Sequence, residues 1–250
     1  MIKRAKGLLL FLSSVLIGLL HLSFGFAKNT GQRVREALHM GDSSLHTTTD
    51  SLFFTPELKS VYDSLHLNLK GLSREAFDFA KKGLTQLTQQ GRTINQSIIS
   101  IVDFSLPSTE KRLFIIDLDQ YKVLYNTLVA HGRNTGRERA VSFSNTPSSF
   151  KSSPGFYITR ETYQGSNGYS LKLEGLEHGI NDKAYERGIV IHGADYVNEQ
   201  LAAQQGYIGR SQGCPAVPEA LARPIINEIK NGSLVFIYHP AYVQGSALLN

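Results

Sequence analysis

The sequence predicts a mainly β protein, a sandwich-like core with short helices that is preceded by a helical segment. Three observations predict it. From residue 111 onward, apolar β-branched runs of strand length recur, each bounded by clusters of Gly, Pro, Asn, Asp or Ser. Helical crossovers between those runs are few, which argues against an alternating α/β layout. One stretch of helical periodicity stands ahead of them, between Pro56 and Asp103. No internal repeat is present.

At the N-terminus, Lys3, Arg4 and Lys6 precede an uncharged, mostly apolar run from Gly7 to Leu20, and Gly25-Phe26-Ala27 ends it with small residues. That is the layout of a secretory signal peptide spanning 1–27. No cysteine lies near the end of the run, so a lipid anchor is not expected. Residues 28–55 (with GDSSLHTTTD inside) are polar and read as a flexible leader. Residues 56–105 are expected to be a helical segment packing on the core. In LSREAFDFAKKGLTQLTQQG, Phe77, Ala80, Leu84 and Leu87 share one helix face, Ser73 suits the N-cap, Glu75 complements the dipole, and Gly91 suits the stop.

The main domain is expected over 106–242. KRLFIIDL (111–118) and KVLYNTLVA (122–130), separated by Asp119-Gln120-Tyr121, read as a hairpin. A Ser/Asn/Pro/Gly-rich loop runs from Arg133 to Gly155, with glycines placed to let it close over a bound molecule as a lid. GFYITRETY, GYSLKLEG and RGIVIHG are three further strands. Pro218 and Pro224 each suit the first turn of a short helix, and Gly232 follows the second. SLVFIYH is the closing strand, and 243–250 is a C-terminal tail.

The formal charge is +5, but three of the positive charges and none of the negative ones lie in 1–27, which leaves +2. A balance that small argues neither for nucleic acid nor for an acidic membrane surface. After signal cleavage no membrane partner is expected.

Cys214, in GRSQGCPAV, is the only cysteine. It is a buried filler, one half of an intermolecular disulfide, or a nucleophile. Gly213 permits a close backbone approach or a positive φ, and Pro215 stiffens the other side. The N–H groups of Gly213 and Cys214 can point at one spot and stabilise an oxyanion. A nucleophilic thiol needs a base, and three histidines precede a glycine: His131, His178 and His192. His178 sits in a turn. His131 and His192 each end an apolar strand, where a side chain is held at a sheet rim. The remaining histidines and carboxylates show no close ligand spacing, so neither a metal nor a cofactor is expected.

The segment IHGADYVNEQLAAQQGYIGRSQGCPAV resembles the signature of the L,D-transpeptidase family with the YkuD-like catalytic domain. His192-Gly193 is followed by seventeen residues and then Ser211-Gln212-Gly213-Cys214. FSLPSTEKRLFIIDL, AHGRNTG, FSNTPSSFKSSPGFYITRETY and GLEHGINDKAYERGIVIHGADY resemble the murein L,D-transpeptidase catalytic-domain branch, and the likeness covers roughly Tyr62 to Pro240. One departure is Gln212, where the family usually has histidine, which bears on substrate orientation.

The resemblance implies that 106–242 is a catalytic domain with Cys214 as nucleophile and His192 as general base. It implies that the carbonyl of Gly193 orients the imidazole and that the Gly213 and Cys214 amides form the oxyanion hole. Ser211, Arg210, Gln212 and His131 are the candidates for substrate contact. The implied chemistry is acyl transfer on peptidoglycan stem peptides in the periplasm or cell envelope. Cys214 cleaves the bond between the third residue and D-Ala, and an amine resolves the thioester: a second stem, a D-amino acid or an envelope-protein lysine. Water as acceptor gives a carboxypeptidase on the same site, and loss of chemistry gives a non-catalytic wall-binding domain.

Overall fold

The computed structural model describes residues 61–92 and 95–250. The signal peptide expected at 1–27, the leader at 28–55 and residues 56–60 lie outside the described residues. Helix α1 (Arg74–Gln89) starts where Ser73 Oγ accepts from the Ala76 N–H at 3.2 Å, and Gly91 follows its end at φ +66°. Phe77, Ala80, Leu84 and Leu87 form its buried face.

The helical reading does not extend through 105. Asn95–Asp103 is strand β1, a central member of the sheet. Its apolar residues Ile98, Ile99, Ile101 and Val102 are spaced as on a helix face, but they alternate between two cores. A strand buried on both sides loses the polar alternation that would identify it.

The other strands are β2 (Leu113–Asp117), β3 (Lys122–Thr127), β4 (Gly155–Gly165), β5 (Gly168–Gly175), β6 (Val190–Ala194), β7 (Ala216–Pro218) and β8 (Ser233–Tyr238). Their order is β3-β2-β1-β8-β4-β5-β6-β7, with β1–β8 and β6–β7 parallel and the other pairs antiparallel. Beyond β3, Ala130 pairs with Ala216 of β7, its N–H donating to the Ala216 carbonyl at 2.8 Å. The two ends of the strand order therefore meet, which gives the mainly β core its layered character.

Period-2 alternation sorts the side chains. Leu113, Ile115, Val235 and Ile237 face a core shared with helix α3 (Glu219–Ile229), which follows helix α2 (Glu199–Gln205). Phe114, Ile116, Leu234 and Phe236 face a second core, covered by α1 and the C-terminal residues. Pro224 does not begin a helix of its own. It lies inside α3, whose N-cap position is Pro218, so the two expected short helices are one. Pro224 withholds one N–H, but the buried face of Ala222, Ile225, Ile226 and Ile229 offsets that loss.

The segment 243–250 is not a free tail. After helix α4 (Pro240–Val243), Ser246, Leu248 and Leu249 are buried. Glu177, itself buried, accepts from the Tyr242 and Ser246 hydroxyls and, at 3.0 Å, from the Phe156 N–H. A buried carboxylate needs such donors, so this cluster anchors the end of the chain.

Candidate active site

Parallel pairing of β6 with β7 places His192 opposite Ala216 and Gly193 opposite Val217, two residues beyond the turn that carries Cys214. Gly193 lies under α3, where an added Cβ would come 2.9 Å from that of Ala222. The turn is built around Ser211. Its Oγ donates to the Cys214 carbonyl at 2.6 Å and accepts from the Gly213 N–H at 3.0 Å. Gly213 has φ +125°, and a Cβ there would meet the Lys151 carbonyl at 2.9 Å. Both constraints demand glycine. The Ser211 N–H donates to the His131 carbonyl and the Arg133 N–H to the Ser211 carbonyl, at 3.0 and 2.8 Å.

Cys214 and His192 line one cavity of about 540 Å³. Cys214 is 9 % exposed, and its Sγ lies 3.7 Å from the Gly188 carbonyl. Burial pushes its pKa up, against smaller opposing effects of the Val190 N–H and the Arg187 guanidinium. Burial pushes His192 down, opposed by its contact with Gly193. Both shifts favour the uncharged forms, a thiol and a neutral imidazole lining the same cavity. The Nδ1 of His192 stands 2.8 Å from the Gly193 carbonyl, so the proton sits on Nδ1 and donates there. Nε2 is left with a free lone pair, the form a general base requires.

Of the other expected contacts, Arg210, Ser211 and Gln212 line the cavity. His131 does not. It is fully buried between Arg112, whose Nη2 donates to Nδ1 at 2.7 Å, and the Gly136 carbonyl, 3.2 Å from Nε2. Arginine cannot accept, so Nδ1 must, and the ring is neutral with its proton on Nε2. Burial first and Arg112 second hold its pKa down to about 3. Its position at the end of an apolar run belongs to the core, because the chain beyond β3 does not stop at a rim but is bridged at Ala130 to Ala216 and at Gly132 to Ser211.

The oxyanion expectation also changes. The Gly213 N–H is committed to Ser211 Oγ, whereas no hydrogen bond among the described residues uses the Cys214 N–H. The loop from Arg133 to Gly155 is a pinned wall. The Asn134 N–H donates to the Phe150 carbonyl at 3.1 Å, and Ser152 donates from N to Thr135 Oγ1 at 2.8 Å and from Oγ to the Gly213 carbonyl at 3.0 Å. Ser148 and Phe150 hold positive φ values of 58° and 54° beside the cavity, a strain that only a well-tied loop retains.

Arg187 is the principal cavity residue that sequence reasoning missed. Its guanidinium ties the Ser144 and Lys151 carbonyls and the hydroxyls of Ser149 and Ser153 while standing close enough to Cys214 to act on the thiol. No local spacing marks it, since its partners come from a different stretch of chain. Phe150 and Tyr196 also line the cavity and were not anticipated.

A family model described as the L,D-transpeptidase catalytic domain matches residues 68–238. No curated protein matches the chain. Solved structures that do match include an L,D-transpeptidase from Mycobacterium smegmatis, with 11 % identity over 57 % of this chain and 59 % of that one, at a TM-score of 0.37. The helical cell shape determining protein Pgp2 from Campylobacter jejuni matches with 12 % identity over 67 % of this chain and 57 % of that one, at 0.38. An L,D-transpeptidase from Stackebrandtia nassauensis matches with 13 % identity over 67 % of each chain, at 0.35. The chain spans about three fifths of the length of the first of the structures it matches.

Proposed function

Because this chain belongs to the L,D-transpeptidase catalytic-domain family, we propose that it is an exported, cysteine-dependent acyltransferase acting on peptidoglycan tetrapeptide stems in the periplasm or cell envelope. One observation carries the reading: Cys214 and His192 line one cavity, with Nδ1 of the imidazole held 2.8 Å from the Gly193 carbonyl. The layout of residues 1–27 supports export.

The resting pair is neutral, so proton transfer accompanies attack. His192 Nε2 takes the thiol proton as Sγ adds to the carbonyl carbon of the third stem residue. Negative charge on the carbonyl oxygen is met by the Cys214 N–H. The bond to D-Ala breaks, and the imidazolium gives its proton to the departing amine, leaving a thioester. An incoming amine then adds to the thioester carbonyl, His192 takes its proton, and the proton returns to the sulfur as it leaves. The new amide is released and the thiol restored.

Intact mass of the chain after incubation with tetrapeptide muropeptides tests this. The expected result is an acyl adduct with release of D-Ala, and neither in Cys214→Ala. An unmodified wild-type protein with no D-Ala released overturns the reading.

A further inference from the structure

Among the described residues, three arginines line the cavity of Cys214, Arg133, Arg187 and Arg210, and no Asp or Glu does. The chain outside 1–27 carries only +2, so this is a local concentration of positive charge and not a reflection of bulk composition. Like charges around one cavity repel each other and attract an anion.

The three arginines are not equivalent. Arg187 spends Nη1 and Nη2 on four acceptors at 2.6 to 3.3 Å and belongs to the wall. Arg210 uses Nη1 alone, on the carbonyls of Arg133 and Gly136 at 3.2 and 3.1 Å. The Arg133 side chain donates no hydrogen bond among the described residues. Its guanidinium lies 4.0 Å from the centre of the Phe150 ring, which fixes the plane and leaves the N–H edge open. Phe150 is fixed in turn by the Asn134 N–H on its carbonyl. Two held guanidinium groups with donors to spare therefore stand on one rim, linked through the Arg133 carbonyl.

We propose that this rim selects the donor peptide by its free carboxylates. Arg133 and Arg210 each take one, so the site accepts a stem bearing several carboxylates and rejects the same stem with those groups amidated. The planar fork matches a carboxylate in two parallel hydrogen bonds, and an amide can return only one acceptor. This inference rests on the reading of the cavity as a peptide-stem site.

The test is equilibrium binding to the full chain carrying Cys214→Ala, which removes chemistry from the readout. The probes are synthetic L-Ala–γ-D-Glu–diaminopimelate–D-Ala and the same peptide amidated on its glutamyl and diaminopimelyl carboxylates. The free form is expected to bind roughly tenfold or more tightly than the amidated form, with the gap narrowing as salt is raised. Arg133→Gln on the same background shrinks the gap several-fold, Arg133→Lys shrinks it less, and Arg210→Gln gives an independent second reading. Equal affinities for the two peptides, or a gap that Arg133→Gln leaves intact, overturn the proposal. Wild-type acylation is measured in parallel. Selective binding without acylation upholds the carboxylate rim and removes the transferase reading, whereas acylation with equal affinities does the reverse.

Discussion

The two histidines that end apolar runs differ only in what surrounds them. At His192 a carbonyl holds one nitrogen and leaves the other for chemistry, whereas at His131 both nitrogens are spent on Arg112 and Gly136. His192→Gln is expected to slow acylation by about 10²- to 10⁴-fold, read as adduct formation over time. Burial lowers the His192 pKa, so the acid limb of wild-type kcat/KM falls below pH 6.5; a limb at or above 6.5 would contradict a desolvated base. His131 governs stability instead. Its pKa is about 3 in the fold against an ordinary 6.5, so the unfolded chain takes a proton that the folded chain refuses. The stability it confers is complete above pH 6.5 and declines by about 1.4 kcal/mol per pH unit as pH falls toward 3. Urea melts at pH 7 and pH 4.5 should therefore show a smaller loss for His131→Gln than for the wild type.

At the scale of elements, the turn between α2 and β7 sets the Cys214 thiol, with β6 paired to β7 on one side and the chain beyond β3 bridged to Ser211 and Ala216 on the other. Gly213 is its most constrained position, with φ +125° and the Lys151 carbonyl where a Cβ would go. Gly213→Ala is expected to cost about 1–3 kcal/mol in denaturant melts, and to cut acylation beyond what the stability loss accounts for, since Cys214 moves with the turn. A melt and an acylation rate both within error of wild type would remove that role. The strands β2 to β6 and β8 were legible because Asp119-Gln120-Tyr121 and the glycine-bounded runs punctuate them, whereas the three-residue β7 beside Cys214 is too short to show a period. The strand β1 was not, because Ile98, Ile99, Ile101 and Val102 feed two cores and show no alternation of polarity. The α1 helix was legible because Phe77, Ala80, Leu84 and Leu87 face one way only.

At the scale of the whole molecule, closure of the strand order by Ala130 and Ala216 brings the stretch after β3 against the Cys214 turn. It thereby delivers Arg133 to the rim. The C-terminal residues close the opposite core through Glu177. Replacing both hydroxyls, Tyr242→Phe with Ser246→Ala, removes two donors from a buried carboxylate and is expected to destabilise by about 1–3 kcal/mol for each. For a chain of this size that lowers Tm by roughly 2–4 °C per kcal/mol, readable by thermal melting. An unchanged Tm would mean that Glu177 does not anchor the chain end. The sequence by itself determined the mainly β class, the α1 face and the lone Cys214, and its resemblance to the L,D-transpeptidase signature singled out His192 over His131 as the partner, since periodicity and a sequence signature are local properties of the chain. Only the tertiary structure decided that His131 is a core residue, that the Gly213 N–H is already engaged, that the 133–155 loop is tied to the Cys214 turn, and that three arginines meet without an acid among the described residues. Each of those depends on which distant groups share a hydrogen bond or a cavity, and that is fixed by how the sheet closes.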